Sequence, residues 1–266
     1  MFQKLKVGAC CVALCVVMAT QTNAAETAAE KTSAFDPMAD KVLRSADAYL
    51  KSQKSLAVKA ETLRDIVTDD GQIITFTTQI ELSLERPNKM YAKRVGVIRN
   101  QEIFYNGSQL VLHSLNHNVY AMKQQVPPTI SQMMDFATGQ LGLQVPGSDL
   151  LYKDLYDGMM SGAVSGLYLG KVVVDDVECH HLAYRGDESD FQLWIEAGNE
   201  AKPKRFMIVS KLMAAAPRYM INIASMEHAE FTNETFDFTP QVGEKRIRFL
   251  TEEEIEQVKE AVKESK

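Results

Sequence analysis

From Ile74 to Glu85 the side chains alternate without a break. Ile74, Phe76, Thr78, Ile80, Leu82 and Leu84 fall on one side, and Thr75, Thr77, Gln79, Glu81, Ser83 and Glu85 on the other. Successive side chains of an extended chain point to opposite faces, so the pattern predicts a strand with one apolar face and one polar face. A strand of this kind belongs in an antiparallel sheet buried on one side only, and some other part of the chain must cover that side. Leu56, Val58 and Ala60 alternate in the same way, and Asp69-Asp70-Gly71 is a turn signal between the two runs. Together they predict a long hairpin.

Turn signals continue along the chain. Pro87-Asn88-Lys89 leads into a strand over 90–99, and Asn106-Gly107 and Asn116-His117-Asn118 separate short strands at 101–105, 109–115 and 119–124. Further strands are expected at about 166–174, 179–185, 191–196, 203–213 and 217–231, with Asp175-Asp176, Gly186-Asp187 and Gly198-Asn199 between them. Helices interrupt this series twice. Asp36-Pro37 reads as a cap followed by proline at the first helical position, opening a helix to about Ser52 with Met38, Val42, Leu43, Ala46, Tyr49 and Leu50 on one face. After Pro127-Pro128, a helix is expected over Thr129–Leu141 and a second over Leu150–Met160. The fold class that follows is α+β, mainly antiparallel β: an incomplete, half-open barrel with helices covering the concave face.

The ends of the chain carry different signals. Lys4 and Lys6, an apolar run from Val7 to Ala19, and Thr22-Asn23-Ala24 have the order of a secretory signal peptide cleaved after about Ala24. Val7-Gly8-Ala9-Cys10 has the form of a lipidation box, but the apolar core follows that cysteine instead of preceding it. The sequence therefore predicts 1–24 as signal peptide, 25–35 as a flexible lead-in, 36–250 as one domain and 251–266 as a charged C-terminal tail. Export to the periplasm is expected. Cleavage would remove Cys10, Cys11 and Cys15, leaving only Cys179 and no internal disulfide. It would also remove two lysines from a chain of net charge −6, and an acidic protein of this kind is a poor partner for nucleic acid.

Catalytic patterns are scarce. The sequence has no zinc-protease H-E-x-x-H, no C-x-x-C, no phosphate-cradling glycine loop and no nucleophile elbow. Cys179-His180-His181 is the one cluster that could begin a site. On a strand Cys179 and His181 share a face and His180 points away, which leaves a metal site short of ligands and a cysteine nucleophile without a partner to orient its base. No cofactor is expected, and a cysteine-dependent enzyme is a remote alternative. The strongest positive feature is the methionine-rich helical segment. Met133, Met134, Phe136, Leu141, Leu151, Leu155, Met159 and Met160, with Trp194, are candidates to line an apolar ligand site, since methionine adapts to varied apolar partners. Ordinary packing between helix and sheet is the competing reading of the same side chains.

Three motifs occur in order: Leu84-Glu85-Arg86-Pro87-Asn88-Lys89-Met90, Tyr105-Asn106-Gly107-Ser108-Gln109-Leu110, and Phe236-Asp237-Phe238-Thr239-Pro240-Gln241-Val242-Gly243. This series resembles the periplasmic lipoprotein-carrier superfamily, the LolA, LolB and LppX-like proteins. Over about residues 36–250 the chain is similar to an uncharacterised periplasmic branch, the domain-of-unknown-function 2092 family. The resemblance implies an incomplete barrel holding a lipid or the acyl chain of a lipoprotein beneath its helices. It implies a membrane-associated donor or acceptor protein as a further partner, and gives Arg86, the arginine of R-P-N, the role of a lid anchor. Gln241 departs from the pattern, standing where the carriers have a second proline. An interaction platform that uses the same fold without a ligand is the alternative.

Overall fold

The computed structural model describes residues 34–143 and 154–250, together with 253, 254, 257 and 261. The expected signal peptide, Leu151 and most of the charged tail lie outside the described residues. The chain opens with α1 (Pro37–Ser52), where the Asp36 carboxylate accepts the Met38 N–H at 2.7 Å and Pro37 stands in the first turn. Ala39, Val42, Leu43, Ala46 and Leu50 are buried along one side, whereas Met38, assigned to that side by its spacing, is 42% exposed.

The hairpin expected from the alternation is the spine of the sheet: β1 (Ser55–Val67) pairs with β2 (Ile73–Glu85) from Ser55↔Glu85 to Val67↔Ile73. Leu56, Val58, Ala60 and Thr62 stand opposite Leu84, Leu82, Ile80 and Thr78, so the two apolar rows share one face. The chain continues through β3 (Lys89–Gly96), β4 (Asn100–Tyr105), β5 (Gln109–Ser114), β6 (Val119–Gln124), α2 (Ile130–Leu141) and α3 (Leu155–Ser161). It ends with β7 (Ala163–Val174), β8 (Val177–Gly186), β9 (Ser189–Glu196), β10 (Pro203–Ser210), β11 (Arg218–Glu227) and β12 (Lys245–Ile247). All twelve strands form one sheet in the order β12-β6-β5-β4-β3-β2-β1-β11-β10-β9-β8-β7. Its outermost strands, β12 and β7, do not pair with each other, so the barrel is open as expected.

Two features depart from the sequence reading. Strands β3, β10 and β11 end earlier than expected, at Gly96, Ser210 and Glu227. β12 has no counterpart among the expected strands; it pairs in parallel with β6, Lys245 opposite Val119 and Ile247 opposite Ala121. The segment leading into it crosses the polar-side face of β3–β6. There the Phe238 ring lies 5.3 Å from Phe104, 5.1 Å from His113 and 5.0 Å from Tyr120, centroid to centroid. Glu244 meets His113 Nε2 at 2.7 Å.

The three motifs meet at one corner of the sheet. Lys89 Nζ donates to Asn233 at 2.9 Å and to Glu85 at 2.7 Å, and lies 5.8 Å from the centre of the buried Phe236 ring. Asn106 Nδ2 donates to Asp237 at 2.8 Å. Gly107 has φ +90°, and a Cβ there would fall 2.5 Å from Asn88 Nδ2. The same corner holds the start of α2: the Ile130 N–H donates to the Pro87 carbonyl at 2.9 Å, and the Tyr105 hydroxyl to the Pro127 carbonyl at 2.7 Å.

Replacement Gly107→Ala is therefore expected to lower stability by about 1–3 kcal/mol, through a left-handed backbone and a collision between two turns. Gly139→Ala in α2, where a Cβ meets nothing within 4 Å, should raise stability by about 0.5–1 kcal/mol. Denaturant midpoints of the two variants should move in opposite directions.

Candidate functional site

The concave face can be followed in rows across the strands. Leu56, Leu84, Met90, Tyr105 and Leu110 make one row, and Val58, Leu82, Ala92, Ile103 and Leu112 the next. On the other side of β1, Ile221, Phe206, Leu193 and Leu182 pair in sequence and continue the apolar surface. These side chains share one core with α1, α2 and α3.

α2 lies on this face because of its own spacing. The Thr129 hydroxyl accepts the Gln132 N–H at 3.3 Å, and Gly142, with φ +62°, ends the helix in the left-handed region. Between these ends Ile130, Met133, Met134 and Ala137 are buried, Met133 at 1% and Met134 at 2% exposure, while Phe136 and Leu141 pack half-buried at the margin. α3 buries Leu155 and Met159, and half-buries Met160. Burying each such side chain contributes about 1.5–3 kcal/mol. The methionines thus fill the space between sheet and helices.

Trp194 does not join them. In β9 the inward positions are Phe191, Leu193 and Ile195, and Trp194 points to the opposite face. There it forms a separate small cluster with Val174 and Cys179, stacked on the His181 ring at 4.3 Å. The grouping of Trp194 with the methionines is corrected: three consecutive apolar residues, 193–195, hide which of them faces inward.

α3 is held by polar contacts to α1. Its second residue, Tyr156, gives its N–H to Asp47 Oδ1 at 3.1 Å, so a side chain of another helix caps a start that Asp154 does not cap. Lys51 bridges Asp47 at 2.8 Å and Asp154 at 3.1 Å. The Tyr156 hydroxyl donates to Asp40, which also accepts Arg44 Nε at 2.8 Å. Hydrogen bonds from Arg44 and Tyr156 hold the Asp40 carboxyl below the usual carboxylate range. Arg86 is half-buried at the end of β2, next to the corner where α2 begins; burial lowers its pKa and the charge of Asp154 opposes that shift.

The cysteine and histidine cluster divides as strand alternation requires: Cys179 and His181 share the outer face with Trp194, and His180 lies on the concave side. Cys179 is fully buried, and desolvation pushes its thiol up to about 11. The Nε2 of His181 meets Gln192 at 2.9 Å, and His180, on the concave side, meets the Tyr168 hydroxyl at 2.9 Å. Among the described residues no group of three His, Cys, Asp or Glu could hold a metal ion.

Among the described residues, two hollows lie away from the methionines of α2 and α3. One of about 200 Å³ separates α1 from β8 and β9 beside Val42, His180 and Ala201. The other, about 450 Å³, is bordered by polar-face residues such as Lys59, Glu61, Gln79 and Asp175. Sequence reasoning also passed over two arginines on the concave face, Arg64 and Arg94. The short turn at 86–88 sets Glu85 opposite Lys89 and so Ile80 opposite Arg94, a register that reveals an inward arginine.

A family model described as a predicted periplasmic protein (DUF2092) matches residues 39–250. No curated protein matches the chain. Among solved structures, the lipoprotein LppX of Mycobacterium tuberculosis aligns at 12% identity over 74% of this chain and 98% of its own, with a TM-score of 0.46. LprF of Mycobacterium bovis aligns at 13% identity over 77% and 99%, TM-score 0.45. An uncharacterized conserved protein of Thermus thermophilus aligns at 9% identity over 79% and 99%, TM-score 0.46. No helix among the described residues is long and apolar enough to cross a membrane.

The clamp between α1 and α3 should respond to acid. A carboxyl with a lowered folded-state pKa contributes its full stabilisation above its ordinary value of about 4 and loses it as pH falls through the folded value. Amide exchange of α3, corrected for intrinsic rates, should accelerate relative to β1 on going from pH 6 to pH 3. Asp40→Asn should abolish most of that difference.

Proposed function

This chain belongs to the DUF2092 family of predicted periplasmic proteins, and from that premise we propose that it shelters a lipid or acyl chain between the concave sheet and its helices. The observation that carries the reading is the manner of cover. The apolar face that runs across the sheet from β5 through β1 to β8 is covered by α1 together with two short helices, α2 and α3, that bury Ile130, Met133, Met134, Ala137, Leu155 and Met159. α2 is tied at its first turn to Pro87, and α3 is tied to α1. Each buried methylene of a guest chain would contribute about 0.8 kcal/mol, so a long acyl chain can compete with the methionine side chains for the same space. Entry and release would be local opening of the helices while the sheet stays intact. In this reading Met133, Met134, Phe136, Leu141, Leu155, Met159 and Met160 line the opened space, and Arg86 braces the corner from which the cover swings. The protein acts by binding and not by catalysis, handing its guest to a membrane-associated acceptor. A buried thiol held protonated, facing away from the concave surface, supports a structural role for Cys179.

One observation favours a second reading, a protein-interaction platform. β7 is the outermost strand at its side of the sheet, and Leu167, Leu169 and Val173 on it are exposed at 58%, 53% and 65%. Native mass spectrometry separates the two. The exported protein should carry lipid adducts that organic extraction removes and added phospholipid restores. Bare protein that takes up no lipid would leave the platform as the better reading.

A further inference from the structure

Among the described residues the helical cover stops short of one end of the concave face, and that end has a different composition. Along β2 the inward side chains pass from buried Leu84 and Leu82 to half-buried Ile80, Thr78 and Phe76, then to exposed Ile74. Arginines stand among these residues. Arg94 takes an inward position in β3, paired with Ile80 on one side and Gln101 on the other. Arg64 takes an inward position in β1, between Phe76 and Tyr219. Arg99 lies in the turn between β3 and β4, directly after Val97 and Ile98, which are exposed at 87% and 53%.

The charge here is unbalanced. Several basic side chains elsewhere have carboxylate partners, as in Arg44–Asp40, Lys51–Asp47, Lys89–Glu85 and Arg218–Asp65. Among the described residues, Arg64, Arg94 and Arg99 have no such ion pair, in a chain whose acids outnumber its lysines and arginines by 35 to 29. The ionisable groups that act on Arg94 are Tyr219, Arg99 and Arg64, and burial disfavours its charge. A half-buried guanidinium facing two further arginines is unfavourable until an anion joins it. Its fork of donors suits a phosphate or carboxylate. Ile80 pairs directly with Arg94, and buried Leu82 follows it along β2 toward the space beneath α2.

We propose that this end is a headgroup site: Arg94, supported by Arg64 and Arg99, takes the anionic headgroup of an amphiphile whose chain lies along Ile80 and Leu82 toward α2. The inference rests on the acyl-binding reading above and adds the charge of the guest. The test is displacement of an apolar fluorophore from the purified protein by phosphatidylglycerol and by phosphatidylcholine with matched chains. Phosphatidylglycerol should bind roughly tenfold more tightly, the order expected for one charge-assisted contact. Arg94→Gln should remove that preference by weakening phosphatidylglycerol binding more than phosphatidylcholine binding, while Arg94→Lys should keep part of it. Arg64→Gln, at an exposed strand position, should weaken the preference with little effect on folding. Equal binding of the two lipids, or a preference that survives Arg94→Gln, would overturn the headgroup site while the acyl-binding reading stands. Binding of neither lipid would overturn both. Inorganic phosphate that occupies the arginines as tightly as the lipid does would assign the site to a free anion and overturn the lipid assignment.

Discussion

An apolar sheet face cannot be left in water, and in this protein that requirement determines where α1, α2 and α3 go. β1 and β2 commit thirteen paired positions to a face that is polar on one side only. Strands on both sides of them extend the apolar surface, and twelve strands with free edges cannot wrap far enough to bury it against themselves. α1, α2 and α3 supply the cover. α1 is continuous with β1 through a short link at 53–54, but α2 and α3 hang between strands of the two sheet halves and are fastened by a few polar contacts. A cover built separately from the surface it protects can come away from it without unfolding the sheet.

The fastenings gather at the ends of the helices. Pro87 receives the first N–H of α2, while the turns at 87–89 and 106–107 are themselves locked to the segment around Phe236 and Asp237. The segment around Phe236 and Asp237 is thus part of this joint: it braces the corner to which the first turn of α2 is fixed. The motifs that recur in order along the sequence are explained by this joint. They are far apart in the chain and meet where cover and sheet are joined, which is a structural role that any guest-binding cycle would use.

Much of this is legible in the residues. Alternation over 74–85 identifies both the strand and its buried face, and Asp36-Pro37 and Thr129 mark helix starts that the backbone adopts. The apolar stripe of α2 is equally readable, since Met133 and Met134 are buried where helical spacing puts them. Other features give no periodic signal. β12 has three residues, all exposed, and its parallel pairing joins residues more than a hundred positions apart. The inward face of β9 is unreadable because Leu193, Trp194 and Ile195 are all buried, on opposite faces, so burial does not distinguish them. Arg94 escapes notice because an arginine between Lys93 and Val95 resembles an ordinary solvated strand; only hairpin register places it inside.

The central claim is that α2 and α3 are a cover with its own opening equilibrium. Native-state amide exchange as a function of denaturant measures this directly. Amides of α2 and α3 should exchange through a low-energy opening that is nearly insensitive to denaturant and leaves β1 and β2 protected, and added lipid should slow them. If α2, α3 and the β1–β2 hairpin instead share one global unfolding free energy, with or without lipid, the helices are fixed core and the account is contradicted.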